Sequence, residues 1–147
     1  MNKPTIGIIG NGFVGEAQAF AFSPVSNVKI FDTNPLKSTH TLNETHDSDF
    51  VFVCVPTPMY SDGNQNLEFV EEVFKHANKN PIYIIKSTVL PGTTEKINKI
   101  YSHLKIVFSP EFLTERTSKL DMLTQNRIII GGQQTWTNQV RKVYELR

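Results

Sequence analysis

The chain has 147 residues, one domain's worth, and its 15 basic and 14 acidic residues leave a formal net charge of +1. That balance gives no large single-sign field, which excludes nucleic acid or an anionic membrane as the expected main partner. A single cysteine excludes an internal disulfide and a cysteine-rich metal site. No apolar run approaches the roughly 20 residues of a membrane span. Met1-Asn2-Lys3-Pro4 leads at once into a glycine-punctuated apolar segment without a signal-peptide layout, so the expected location is cytoplasmic.

Short β-branched runs alternate with longer amphipathic stretches, the pattern of an α/β fold with a mostly parallel sheet. Thr5–Ile9 reads as the first strand, apolar on both faces and therefore interior. Gly12–Phe22 reads as a helix with Val14, Ala17, Phe20 and Ala21 on one side. Val28–Phe31 is the second strand, closed by Asp32, and Phe50–Val55 the third, stopped by Pro56-Thr57-Pro58. Only 17 residues separate Asp32 from Phe50, too few for a full helix and a long strand, although Thr39–Asn43 has room for a stub of helix.

Leu67–Ala77 carries apolar residues at spacings of three and four, with Asn66 placed to cap it. Pro81–Ile85 is the next strand and Thr94–Leu104 the next helix, with Ile97, Ile100, Tyr101 and Leu104 apolar. Lys105–Phe108 and Arg127–Ile130 complete the expected strands, and Trp136–Leu146 is a closing helix. Loop signals sit at Pro24, Asn34-Pro35, Asp62-Gly63-Asn64, Pro91-Gly92 and Gly131-Gly132.

Gly10-Asn11-Gly12-Phe13-Val14-Gly15 is a G-x-G-x-x-G that follows a predicted strand and opens a predicted helix. Gly10 permits the tight turn, Gly12 lets a pyrophosphate approach the backbone, and Gly15 lets the helix pack close to the sheet. An anion there meets the unpaired N–H groups and positive dipole end of the helix. Asp32, 17 residues after Gly15 at the end of the second strand, can accept hydrogen bonds from both adenosine ribose hydroxyls. It would repel a 2′-phosphate, which favours NAD over NADP; the competing role for Asp32 is capping a turn. Together these features predict a single three-layer domain of Rossmann-like, doubly wound type that binds NAD.

Four further segments carry a family resemblance over nearly the whole chain. Val53-Cys54-Val55-Pro56-Thr57-Pro58 with Asp62-Gly63, Lys86-Ser87-Thr88-Val89-Leu90-Pro91-Gly92-Thr93-Thr94, Ser109-Pro110-Glu111-Phe112-Leu113-Thr114-Glu115, and Asn126-Arg127-Ile128-Ile129-Ile130-Gly131-Gly132 follow one another in order. In that order they resemble the UDP-glucose/GDP-mannose dehydrogenase family. The first three fall at the C-terminal ends of predicted parallel strands, the edge where open α/β sheets bind ligands.

The resemblance implies cofactor contacts from Gly10, Gly12, Phe13, Val14, Gly15, Asp32, Lys37, Val55, Pro56, Thr57 and Thr88. It implies an active-site role for Thr88, holding a water or a sugar oxygen, and for Glu111 and Glu115. It also places Glu111, Phe112, Leu113 and Glu115 against a nucleotide sugar, UDP-glucose first, with GDP-mannose or a UDP-N-acetylhexosamine as alternatives. Thr57 and Thr88 have helix capping as a competing role, and Lys37 a solvated surface position. Glu111 and Glu115 are spaced i, i+4, so a short helix would present both on one face. Crowded carboxylates suit general acid/base work; the alternative is a solvated acidic edge paired with Arg116 or Lys119. Where the family commonly has glycine after the second glutamate this chain has Arg116, which bears on sugar identity.

The family oxidises a C6 alcohol to a carboxylate with two NAD, holding the intermediate on a cysteine. The segment with that cysteine, a connecting helix and a second catalytic lysine lie beyond the region matched here, so the chain is expected to be the NAD-binding half alone, with a homodimeric parent. A non-catalytic dinucleotide-binding module is the rival, although Thr88, Glu111 and Glu115 are all present. Cys54, inside the apolar run VFVCVP, is expected to be a buried, inert thiol. His40, His46, His76 and His103 show no ligand spacing and read as surface or boundary residues.

Overall fold

A computed structural model describes residues 3–147; Met1 and Asn2, which open the N-terminal run read above, lie outside it. The strands are β1 (Thr5–Ile9), β2 (Asn27–Phe31), β3 (Phe50–Val53), β4 (Ile82–Ile85) and β5 (Lys105–Phe108). They form one sheet in the order β2-β1-β3-β4-β5, parallel throughout. The helices are α1 (Phe13–Phe22), α2 (Leu42–His46), α3 (Glu68–Lys75), α4 (Thr93–Ile100), α5 (Ser118–Thr124) and α6 (Gln134–Tyr144).

Because side chains alternate across a strand, each strand feeds both faces of the sheet. Ile6, Ile8, Phe52, Ile84 and Val107 join Ala17, Phe22, Met122, Val140 and Tyr144 in one core. Ile9, Val51, Val53, Tyr83, Ile85 and Ile106 join Val70, Phe74, Ile97 and Leu104 in the other. Helices on both sides of a buried parallel sheet make the three layers that the alternating pattern predicted.

Several expectations change in detail. Arg127–Ile130 forms no strand; only Gly131 pairs with Phe108, in an antiparallel bridge with N–H···O distances of 2.8 and 2.7 Å. Ile128 and Ile130 are apolar because they pack on the core of the α1 face, not because they join a ladder. The unassigned helix α5 precedes this segment and packs against α1. Phe20 of α1, expected on the packed side, is 47% exposed, as is Ile100 of α4 at 59%.

The short link between β2 and β3 holds a helical stub, but it runs over Leu42–His46, three residues later than Thr39–Asn43. Thr41 accepts the Glu44 N–H while the Glu44 carboxylate accepts the Thr41 N–H, a reciprocal cap that lets a five-residue helix persist. It crosses β1 at Gly7, where a Cβ would meet the Thr45 carbonyl oxygen at 2.5 Å. Asn66, expected as the cap of α3, lies one residue before its N-cap Leu67, and its side chain accepts the Glu68 N–H at 2.8 Å.

His46, expected at the surface or boundary, is instead buried beneath α2, its Nδ1 3.0 Å from the Tyr83 hydroxyl. That hydroxyl also accepts the Asn78 N–H at 3.0 Å. Burial, with a smaller contribution from His76, pulls the imidazole down to about 4.

Candidate cofactor cleft

The strand ladder continues past the C-terminal ends of the strands and gathers the loops that follow them. Gly10 donates to Phe31 O at 2.9 Å, Cys54 to Ile9 O at 2.8 Å, Lys86 to Val53 O at 2.9 Å and Ser109 to Ile85 O at 3.0 Å. These bonds close a cleft of about 630 Å³ lined by Gly10, Gly12, Phe13, Val14, Asp32, Lys37, Val55, Pro56, Thr57, Thr88, Glu111 and Leu113 from among the predicted residues. Its size falls in the roughly 300–1,000 Å³ range of small-molecule sites.

The glycine turn has the geometry its spacing predicts. Gly10 has φ +93°, a left-handed conformation open to glycine, and a Cβ there would also meet Cys54 O at 2.6 Å. A Cβ on Gly15 would collide with the Gly10 carbonyl and approach Ile8 Cγ2 to 3.2 Å, which would push α1 off β1. At Gly12 a Cβ would meet nothing within 4 Å, so the backbone there faces open cleft. Helix geometry leaves the first N–H groups of α1 without intrahelical partners.

Asp32 sits opposite this turn. Its Oδ2 accepts the Asn11 N–H at 2.7 Å and its Oδ1 accepts the Asn34 N–H at 2.8 Å. Asn11 in turn donates its amide to Lys37 O at 2.9 Å, while its buried Oδ1 has no partner among the described residues. A carboxylate has about four acceptor positions, so two remain for hydroxyl donors. An orphaned buried amide oxygen, free carboxylate lone pairs and an unblocked glycine backbone are the donors and acceptors a ribose and a pyrophosphate require.

At the other end, Thr57 Oγ1 donates to Thr88 O at 2.7 Å, and Gln65 Nε2 donates to the same oxygen at 2.8 Å. Gln65 belongs to a small hairpin in which Met59 pairs with Gln65, so that hairpin is fastened to the loop after β4.

The acidic pair is arranged differently from the expectation. Residues 109–114 are not helical and a 3₁₀ turn starts only at Glu115, so no helix face presents Glu111 and Glu115 together. Glu111 is buried: its Oε2 lies 3.0 Å from Lys86 Nζ and 3.1 Å from Gln18 Nε2, and its Oε1 accepts the Phe112 N–H at 2.8 Å. Lys86 also reaches Pro110 O at 3.3 Å and Ser109 Oγ at 3.5 Å, which uses all three ammonium protons. Burial opposes the ammonium charge, but the facing acidic groups, Tyr144 and Glu111 foremost, outweigh it and raise Lys86. Glu115 and Phe112 are exposed and do not line the cleft, and Phe112 lies under the Arg127 guanidinium at 5.9 Å. Lys119 pairs with Glu16 at 2.8 Å rather than with Glu115.

Lys86 and Gln18 are site residues that the sequence reading missed. A lysine closing the apolar run PIYII, in a strand interior to the sheet, was the available signal, since a buried cation requires a partner. Cys54 borders the cleft, and burial pushes its thiol up to about 12, consistent with an inert side chain.

A parallel sheet, a glycine turn opening a helix, and an acidic residue closing the second strand define a dinucleotide-binding domain. Residues 28–146 match the model of the UDP-glucose/GDP-mannose dehydrogenase family, NAD binding domain, and the chain belongs to that family, with NAD as the cofactor. It is 33% identical over 129 residues to a UDP-glucose 6-dehydrogenase of Rickettsia conorii, covering 79% of this chain and 29% of that protein. A UDP-glucose 6-dehydrogenase of Campylobacter jejuni is 30% identical, covering 84% and 40% respectively. Among solved structures, a UDP-glucose dehydrogenase from Pyrobaculum islandicum superposes with TM-score 0.84 at 23% identity, over 98% of this chain and 44% of that one. A GDP-mannose dehydrogenase from Pseudomonas aeruginosa gives 0.81 at 22% identity, over 95% and 44%. The chain thus spans less than half the length of these relatives. Among the described residues no helix is long and apolar enough to cross a membrane.

Proposed function

We propose that the cleft binds NAD along its length, and that the chain is the cofactor half of a nucleotide-sugar dehydrogenase whose parent oxidises the C6 alcohol of UDP-glucose to the uronic acid. The observation that carries this reading is the single cleft in which the glycine turn and Asp32 stand at one end and Thr57, Thr88 and Glu111 at the other. Asp32 and Lys37 would hold the adenosine ribose. Gly10, Gly12, Phe13 and Val14 would present the pyrophosphate site, with Gly15 seating α1 close enough to β1 to form it, and Val55, Pro56, Thr57 and Thr88 would flank the nicotinamide half. NAD supplies the hydride acceptor.

The chain's own residues orient and manage protons. Thr88 places a hydroxyl near the reacting end, to hold a water or a sugar oxygen. Glu111, gripped from below by Lys86 and Gln18, is an anion positioned to accept a proton from such a water. Phe112, Leu113 and Glu115 continue from Glu111 and would meet the sugar nucleotide; exposure of Phe112 and Glu115 leaves them free to do so. The names of the relatives favour UDP-glucose, with GDP-mannose or a UDP-N-acetylhexosamine as the alternatives. Completion of the site by a further domain that carries the nucleophilic cysteine, a homodimeric parent and a cytoplasmic location belong to the same reading.

Calorimetric titration of the 147-residue chain with NAD and with NADP tests the cofactor assignment. NAD binding at least about tenfold tighter than NADP is expected, because Asp32 would repel a 2′-phosphate. Equal affinities would overturn the role given to Asp32. For the parent, NADH production compared across the three sugar nucleotides decides the substrate.

A further inference from the structure

Lys86 and Glu111 form a buried ion pair, 3.0 Å across. It lies at the floor of the cleft, where the ends of β4 and β5 meet, and both residues line the space. Both side chains are over nine-tenths buried, at 4% and 8% exposure, so solvent screens their field weakly. The pair stands at the end of the cleft opposite Asp32, the end to which the NAD reading above assigns the nicotinamide half. That half is the part whose charge changes: the oxidised ring is a cation and the reduced ring is neutral.

We propose that the Lys86–Glu111 pair sets which redox form of the dinucleotide the cleft holds. This rests on the NAD reading above. Glu111 favours the cationic ring, and Lys86 offsets that preference so that the oxidised form is not held at the expense of the reduced one. The surroundings keep the balance fixed. Gln18 and the Phe112 N–H hold the carboxylate in place, Ser109 and Pro110 hold the ammonium, and the mean charge of the floor is zero. The other charged or titratable groups facing the pair are Cys54, Tyr144 and Arg147. The Cys54 thiol is held protonated by burial, and Arg147 is anchored on the Met122 carbonyl.

Opposite substitutions must then act with opposite sign. Glu111→Gln leaves an uncompensated cation under the ring and should weaken NAD⁺ by about tenfold while changing NADH by less than about twofold, as expected for a unit charge acting through a weakly screened interior. Lys86→Met leaves the carboxylate alone and should raise the preference for NAD⁺ over NADH by a similar factor. The double variant Lys86→Met/Glu111→Gln restores a neutral floor of near-equal volume. Its NAD⁺/NADH affinity ratio should return to within about threefold of wild type, and it keeps the test decisive if Lys86→Met alone fails to fold.

The measurement is titration of the chain and its variants with NAD⁺ and NADH, by calorimetry or by NADH fluorescence. Opposite shifts of the ratio in the single variants, or its fall in Glu111→Gln with recovery in the double variant, support the proposal. Parallel loss of both forms in Glu111→Gln means the pair is only structural; it overturns the proposal and leaves the cofactor reading standing. Binding of neither form by the wild-type chain overturns the cofactor reading and the proposal with it.

Discussion

The Asp32 carboxylate accepts the Asn11 N–H across 2.7 Å, so the acidic end of β2 and the phosphate-binding turn form one unit. Its second oxygen holds the Asn34 N–H at 2.8 Å. Asp32 therefore has two tasks, and removing it does not simply delete a ribose contact. Asp32→Ala should weaken NAD by at least about tenfold and lower stability by about 1–2 kcal/mol, since two backbone donors lose their acceptor. Asp32→Asn keeps one acceptor oxygen and should lose less stability than Asp32→Ala. Thermal melts beside NAD titrations check this, and equal melting of the two variants would refute the structural task.

The glycines of the turn separate folding from binding. Gly12→Ala meets open space, so its melting temperature should stay near wild type while its NAD affinity falls. Gly15→Ala forces α1 away from β1 and should destabilise the domain by about 1–3 kcal/mol, the usual range for overpacking. Denaturant unfolding of both variants makes the comparison. A larger loss of stability at Gly12 than at Gly15 would contradict the packing geometry.

Thr88 O is held from two sides, by Thr57 and by Gln65. Gln65→Ala frees the hairpin from the loop after β4 and should weaken NAD several-fold, while AMP, confined to the Asp32 end, binds as before. Thr57→Val should act in the same direction. Comparison of NAD and AMP affinities in each variant is the readout, and an equal loss for both ligands would place the effect outside the nicotinamide end.

His46 makes the fold acid-sensitive. Its pKa is depressed in the folded state to about 4 from an ordinary 6.5, because the buried ring resists protonation. The unfolded chain therefore takes up a proton first, and stability contributed by the neutral ring is present above about 6.5 and lost as pH falls toward 4. Melting temperature should decline across that window in wild type and decline less in His46→Gln. An identical pH profile for the variant would remove His46 as the cause.

The sequence by itself determined the α/β class, all five strands of the sheet to within two residues at each end, and the dinucleotide turn. These are local properties. Alternation of short β-branched runs with helical periodicity, and glycine at three fixed positions, leave one economical arrangement of chain. It also determined the family, because four motifs in order are written in the chain itself.

Tertiary structure alone decided the rest. Whether Arg127–Ile130 is a strand depended on a neighbouring edge, and the chain passes β5 with a single bridging residue, Gly131. Whether Glu111 faces Glu115 depended on a helix that does not form, while its real partners, Lys86 and Gln18, lie 25 and 93 positions away in sequence. His46 reads as polar and is buried because α2 lays it against Tyr83. Charge pairing and burial arise from contacts between distant segments, and the periodicity of one segment holds no information about which side chain of another will meet it.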